Sequence, residues 1–261
     1  MTAAVVPVLA QWLEGALPSA LRIVGLVVLA PGLSYQQAPP QVRVALAVGL
    51  AIIIAPMASP PPGAPAEPLA FIGLCISELA LGLAMGFVAA ALLEALRFGG
   101  EVLDLQIGLR AGQLFDPTSG AQSGILSTAY AMLGLLLFVT IDGHHWLLRG
   151  LAASFGIIPA GGMEPGVQLG ALAADLGTSV LLLGLQVAGP VMAALLLADL
   201  AFGLVARAVP QINVFLVGIP GKIALAFALA AVSLPSVVIG LERICRLMAQ
   251  YLDATIRTFG G

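Results

Sequence analysis

An all-α, membrane-associated protein built from kinked and broken apolar helices is the fold class that this 261-residue sequence predicts, on three observations. First, 60% of its residues are apolar and only 9% charged, with a mean hydropathy of +1.09. A soluble domain carries about 25% charged residues, so this chain cannot cover a water-facing surface, and a soluble globular enzyme is excluded. Second, apolar runs approaching the roughly 20 residues that a helix needs to cross a bilayer core recur along the whole chain. Third, prolines fall inside or beside those runs, and each removes a backbone donor that an apolar medium cannot replace.

Charge and cysteine usage narrow the function classes further. Ten basic and thirteen acidic residues leave a net charge of -3 without a dense basic cluster, so nucleic acid is not an expected partner. Cys75 and Cys245 are far apart in apolar surroundings and read as small hydrophobes rather than a disulfide. The opening MTAAVVPVLAQWLEG has no Lys or Arg ahead of its apolar stretch and no polar cleavage region, so it is not expected to be a cleavable signal peptide.

Along the chain, candidate spans are Ser19 to Leu33, Val42 to Ala58, Leu69 to Leu93, Gly124 to Ile141, Gly177 to Leu197 and Lys222 to Leu241. The first two are short and carry or abut Pro31 and Pro56, which predicts tilted or hairpin-forming helices in an N-terminal region, 1–58, with residues 1–17 as a further interfacial helix. The linker 59–68, SPPPGAPAEP, has five prolines and one charge and is expected to be a stiff connector. A helical body, 69–261, follows. In it Pro190, Pro210, Pro220 and Pro235 predict local helix breaks whose freed carbonyls need protein neighbours or a wet cavity. No repeat is visible.

Orientation strains a simple six-span count. Placing Arg43 on the cytoplasmic side puts the Pro-rich linker outside, and the same parity puts Arg243, Arg246 and Arg257 outside as well, against the positive-inside tendency. Either one segment does not cross, or the chain is not a conventional bundle in lipid.

Several polar residues could carry chemistry. Glu78 lies mid-segment, where a carboxylate costs about 2.5 to 3.5 kcal/mol on insertion scales and faces protein or water; an Arg or a helix end as partner is favoured over a proton relay. Glu78, Gly82, Gly86, Ala90 and Glu94 recur every fourth residue, turning by about 40° per step, and offer a stripe for close helix approach within the chain or to a partner subunit. Asp199 and Arg207 are about 12 Å apart along a helix, too far for direct contact without a break. Asp142-Gly-His144-His145-Trp146 reads as a turn where one helix ends at Ile141 and the next restarts, with Asp142 as capping acceptor. The adjacent histidines point about 100° apart and suit the layer boundary better than a metal, so no metal is expected. No cofactor loop, nucleophile with its base, or metalloprotease helix is present, so no enzyme and no cofactor are expected. The polar stretch Arg97 to Ser123 starts as a helix, with Arg97 to Glu101 and Gln106 to Arg110 at i,i+4 spacing, and ends in the turn-forming Asp116-Pro117-Thr118-Ser119-Gly120. That pattern suits a surface loop or a mobile plug.

Five strings in order, Gly100-Glu-Val-Leu-Asp-Leu-Gln-Ile-Gly108, Phe115-Asp-Pro-Thr-Ser-Gly120, Asp142-Gly-His-His145, Ser154-Phe-Gly-Ile-Ile-Pro159 and Arg207-Ala-Val-Pro-Gln-Ile-Asn-Val-Phe215, resemble the FliR family, the flagellar R/T component of type III secretion export gates. The last string looks more like the flagellar than the virulence-injectisome branch. The resemblance implies a subunit of a hetero-oligomeric export gate in the bacterial inner membrane, at the flagellar basal body. Its implied partners are P-type and Q-type gate subunits, a larger export-switch membrane subunit, membrane lipid and unfolded proteins in transit. It implies kinked hairpins packed on sister subunits and largely raised out of the bilayer plane, which accounts for the failed parity. It also implies that a loop of this subunit closes the pore; matched by motif, that loop is 106–124, with Arg110, Gln113, Leu114, Phe115, Asp116 and Pro117 as the gate. Leu114 and Phe115 are the apolar stopper in this view, and Arg110 and Asp116 hold it closed. Glu78, Gly82, Gly86, Asp142, His144, Arg207, Pro210, Gln211, Asn213 and Lys222 are then expected at subunit contacts or helix breaks, with Lys222, the only lysine, paired to a neighbour's carboxylate. A small-solute transporter would show two similar halves, which are not evident. A bare membrane anchor leaves the polar Arg97 to Ser123 stretch unexplained.

Overall fold

The computed structural model describes residues 2–32, 39–54, 67–108, 124–159, 161–162, 169–209, 211 and 214–260, with backbone alone for 2–15 and 214–217. The described residues form helices and no strand: α1 Thr2–Leu29, α2 Pro40–Ile54, α3 Pro68–Ile107, α4 Ile125–Thr140, α5 Gly143–Ile157, α6 Leu169–Ala208, α7 Val214–Val232 and α8 Leu234–Gly260.

Two helices, α3 and α6, are long and apolar enough to cross a membrane alone. At 40 residues each they rise about 60 Å, twice what a bilayer core needs. Two bent pairs meet the same test together: α4 with α5, turning by 65°, and Gly218–Val232 with α8, turning by 58°. The six expected spans thus fall on α1, α2, α3, α4, α6 and α7 running into α8, but only those on α3 and α6 are long and apolar enough to cross alone. Residues 2–17 continue into α1 instead of forming their own helix, and the polar stretch from Arg97 prolongs α3 to Ile107.

The prolines divide into two kinds. Pro190 and Pro220 lie inside continuous helices, so the breaks expected there do not occur. A single proline removes one rung of the ladder, and the remaining rungs of a long packed helix hold its course. Pro235 follows the turn residue Ser233 and occupies the second position of α8, where a helix has no use for the missing N–H, and here the chain does bend. Pro210 and Asn213 lie outside the described residues, as does 55–66, most of the expected linker.

The compact units do not follow the boundary expected at the linker. One unit comprises 1–92, 138–177 and 245–261, the other 93–137 and 178–244. In the first, Leu81, Met85, Val88, Ala89 and Leu92 line one face of α3, at helical spacing, and are buried with Ile23, Leu26 and Val27 of α1. α1 and α3 touch through glycine: a Cβ on Gly25 would stand 2.6 Å from Leu79 O and one on Gly86 2.8 Å from Leu26 O, while one on Gly82 would overlap Arg22 O. The C-terminal part of α8 is amphipathic, burying Met248, Leu252 and Ile256 and exposing Arg246, Gln250, Asp253 and Arg257. In the second unit Leu96, Leu103, Leu126, Val191 and Leu195 are buried. Its α6 leaves Leu196, Leu197, Leu200 and Leu204 uncovered, each more than half exposed, a face that belongs against lipid or protein.

Candidate functional site

The stem of the loop between α3 and α4 is built by three residues. α3 ends at Gly108, whose φ of +88° is open to glycine at little cost and turns the chain off the helix axis. α4 begins after Gly124, and its first free amides are capped from a distance by the buried carboxylate of Asp104, one turn before the end of α3. Leu126 N donates to Asp104 Oδ1 at 3.1 Å and Ser127 N to Oδ2 at 2.9 Å. Anionic oxygens at a helix N-terminus satisfy orphan donors and complement the dipole. Ser127 and Thr128 hydroxyls then donate to Gly124 O at 2.9 and 2.8 Å.

Glycine again sets the approach. A Cβ on Gly100 would lie 2.5 Å from Ser127 Cα, and one on Gly124 would overlap the Asp104 carboxylate. The chain therefore leaves at 108 and returns at 124 from two clasped helix ends. The expected gate residues Arg110, Gln113, Leu114, Phe115, Asp116 and Pro117 lie on the loop, outside the described residues. Gln106, where the expected loop begins, is still helical, with Nε2 donating to Met192 O at 3.1 Å. Arg97, expected to pair with Glu101, does so at 3.5 Å and meets Glu94 at 3.1 Å.

Glu78 has the arginine partner favoured from its position. Arg22 Nε and Nη2 donate to its two carboxylate oxygens at 2.7 and 3.1 Å, with both side chains out of contact with solvent. Arg22 also donates to Ser154 Oγ and Ile158 O, each at 3.0 Å, and its guanidinium lies 4.4 Å from the Phe155 ring centroid. Gly161 N adds a third bond to Glu78, at 3.0 Å. α1, α3, α5 and the segment after α5 thus meet at one polar knot. Gly82 and Gly86 serve the same α1 contact, which is the within-chain use of the stripe.

Asp142 stands at the expected helix restart but caps nothing with its side chain. Its φ of +57° places it in the left-handed region, which turns the carboxylate towards His145 Nδ1 at 3.2 Å. The Asp142, His144 and His145 donors consequently lie within 4.8 Å of one another. This is the one set among the described residues with the chemistry for a divalent cation, and helical spacing alone did not foresee it because Asp142 is off the helix. Trp146 beside it is exposed.

Lys222 pairs with Asp199 of the same chain rather than needing a neighbour's carboxylate. Arg207 is exposed in the last turn of α6, where a cation suits the helix dipole, and Gln211 is exposed in the turn that follows.

Residues 15–248 match the family profile described as bacterial export proteins, family 1. The flagellar biosynthetic protein FliR of Escherichia coli K12 is 32% identical over 225 residues, 86% of each chain. That of Bacillus subtilis 168 is 30% identical over 243 residues, 92% of this chain and 93% of its own. The FliR of Caulobacter vibrioides is 31% identical over 217 residues, 83% and 86% of the two chains.

Proposed function

We propose, because this chain belongs to the FliR family of flagellar biosynthetic proteins, that it forms part of the pore of the flagellar type III export gate and supplies the plug that closes it. Its apolar helices make it a membrane component of the export apparatus. Its partners in this proposal are the P-type and Q-type gate subunits and the larger export-switch subunit, in the inner membrane at the flagellar basal body. Unfolded flagellar proteins are the cargo. The work is passage, driven from elsewhere in the machine, and no bond is made or broken by this chain.

The observation that carries the proposal is the clasped stem. Asp104 satisfies the first amides of α4 beside the point where the chain leaves α3, so the helix ends that bear the loop do not depend on the loop's own residues for their hydrogen bonds. Leu114 and Phe115 are the apolar stopper, and Arg110 and Asp116 hold the closed position. Among the relatives, the shared name is flagellar, which favours the flagellar over the injectisome branch.

Replacing Leu114 and Phe115 together by Gly should make cells leak small solutes while the complex still assembles. Normal membrane tightness with unchanged secretion would refute the plug. Co-expression with the two small gate proteins, followed by native mass spectrometry of the particle, tests the assembly; a chain that purifies alone and ignores both would refute it.

A further inference from the structure

The turn between α4 and α5 brings together three donor groups that regular helical spacing would keep apart. α4 ends at Thr140, Asp142 stands off both helices in the left-handed region, and α5 begins at Gly143. Two backbone bonds fix the turn, from Asp142 N to Val139 O at 3.1 Å and from His145 N to Asp142 O at 2.9 Å. Gly143 is seated on the wholly buried Phe138 ring, which an added Cβ would overlap. The turn is therefore a packed platform. Asp142 and His145 stand out from it, with side chains 70% and 55% exposed.

Asp142 Oδ1 lies 3.2 Å from His145 Nδ1 and 4.0 Å from His144 Nε2, and all three donors fall within 4.8 Å of one another. The two imidazole rings lie side by side, with centroids 4.3 Å apart and planes tilted by 35°, so each can offer a nitrogen to the same point. His144 Nδ1 is buried, which leaves Nε2 as the nitrogen of that ring able to meet an outside ligand. Asp142 has no capping bond to give up, because its side chain caps no amide of α5. Two atoms bound to zinc at about 2.1 Å in a tetrahedral arrangement are about 3.4 Å apart. A cation among these three donors thus needs only small side-chain rotations and no movement of the backbone.

We propose that Asp142, His144 and His145 bind a Zn²⁺ ion through Oδ1, Nε2 and Nδ1 respectively, with the remaining coordination positions open to water. Two imidazoles and one carboxylate suit zinc and its neighbours among the transition metals, whereas Mg²⁺ and Ca²⁺ take oxygen ligands. The partial positive charge of a helix N-terminus, about half a unit, is outweighed by the full negative charge of the Asp142 carboxylate placed there. Arg149, one turn beyond His145, is the only Lys, Arg, Asp or Glu of α5, and its charge opposes the cation, so the site is an exchangeable one. The bound ion ties the turn residue to the first turn of α5, a link that no side-chain cap provides.

The full-length chain, purified in non-ionic detergent on an affinity tag free of histidine, would be titrated with Zn²⁺ and weighed by native mass spectrometry, with Co²⁺ as the light-absorbing substitute. Wild type should take up one Zn²⁺ that millimolar Mg²⁺ does not displace. Its Co²⁺ form should show visible d–d bands without the near-ultraviolet thiolate band that Cys75 or Cys245 would give. His145→Ala and Asp142→Asn should each lower Zn²⁺ affinity at least about tenfold, the lower end of what even an outer hydrogen-bond partner of a metal ligand contributes. Both side chains are exposed and Asn accepts the left-handed backbone as Asp does, so both variants should melt as wild type does in the absence of metal. A wild type that takes up no Zn²⁺, its turn holding an Asp142–His145 hydrogen bond alone, would overturn the proposal. So would a thiolate band, displacement by Mg²⁺, or unchanged affinity in both variants.

Discussion

Removing the carboxylate of Glu78 should cost this protein a large share of its stability, and the structure shows why. Glu78 accepts three hydrogen bonds, from Arg22 Nε, Arg22 Nη2 and Gly161 N, at 2.7, 3.1 and 3.0 Å. Glu78→Ala strips all three and leaves the Arg22 guanidinium, with no solvent contact, to Ser154 Oγ, Ile158 O and the Phe155 ring. A buried charge orphaned in this way costs about 3 to 5 kcal/mol, against a total stability of about 5 to 15 kcal/mol for ordinary domains. Arg22→Met should cost a similar amount, since it leaves Glu78 with Gly161 N alone. The double variant Arg22→Met with Glu78→Leu removes both charges and fills the space with apolar side chains. It still strands Ile158 O and Gly161 N, at about 1 to 3 kcal/mol each, while Ser154 Oγ keeps its own bond to Leu151 O. The pair should therefore cost less than the sum of the two single variants, by about 0.5 to 3 kcal/mol. Thermal unfolding of the detergent-purified chain, wild type against the three variants, measures this. Strictly additive losses, or single variants as stable as wild type, would refute the knot as the element joining α1, α3 and α5.

Two neighbouring glycines of α3 should behave oppositely. Gly82→Ala forces a Cβ into Arg22 O and should destabilise by about 1 to 3 kcal/mol, whereas Gly73→Ala, with nothing within 4 Å, should be neutral or slightly stabilising, both read as melting temperature and as folded chain per cell. Lys222→Ala should lower the yield of folded chain by exposing Asp199 to an apolar layer, and Lys222→Ala with Asp199→Ala should restore it. If the double variant is as poor as the single, Lys222 has its essential partner elsewhere.

The membrane class was legible from composition, because so few charges cannot cover a water-facing surface, and the helical class from apolar runs of bilayer length. Glu78 was legible as a residue needing a partner but not as the partner of Arg22, which lies in another helix 56 residues away. The stripe of Gly82 and Gly86 was legible as a contact, while its direction was not: spacing says which residues share a face, never what that face meets. Asp104 escaped entirely. N-caps are recognised by a short spacing to the helix they cap, and this one caps α4 from the end of α3, across 22 residues. Pro190 and Pro220 misled because local propensity is overridden in long packed helices, whereas Pro235 kept its meaning at a helix start. Asp142 was found in the right place with the wrong task, since a left-handed backbone points its carboxylate away from the amides it was expected to cap.

Helix lengths offer a second account of the orientation conflict besides hairpins raised out of the bilayer, and the two can be told apart. α2 has 15 residues and rises about 22 Å, short of the roughly 30 Å of a bilayer core. Taken as a helix that does not cross, it keeps Arg43 and the Pro-rich linker on one side. If each bent pair counts as one span, α3, the α4 and α5 pair, α6, and the pair of Gly218–Val232 with α8 give four crossings, and an even number returns the C-terminus to that same side. On that count Arg43, Arg246 and Arg257 share a compartment. On this count the positive-inside tendency predicts that their side is cytoplasmic. In a chain with Cys75 and Cys245 replaced by Ala, a single cysteine at Gln211 should react with an impermeant maleimide from the periplasm, and one at Gln250 only after the membrane is opened. Both positions are exposed. Reaction of both from the periplasm would mean that the hairpins are raised out of the bilayer, and the four-crossing count would fall.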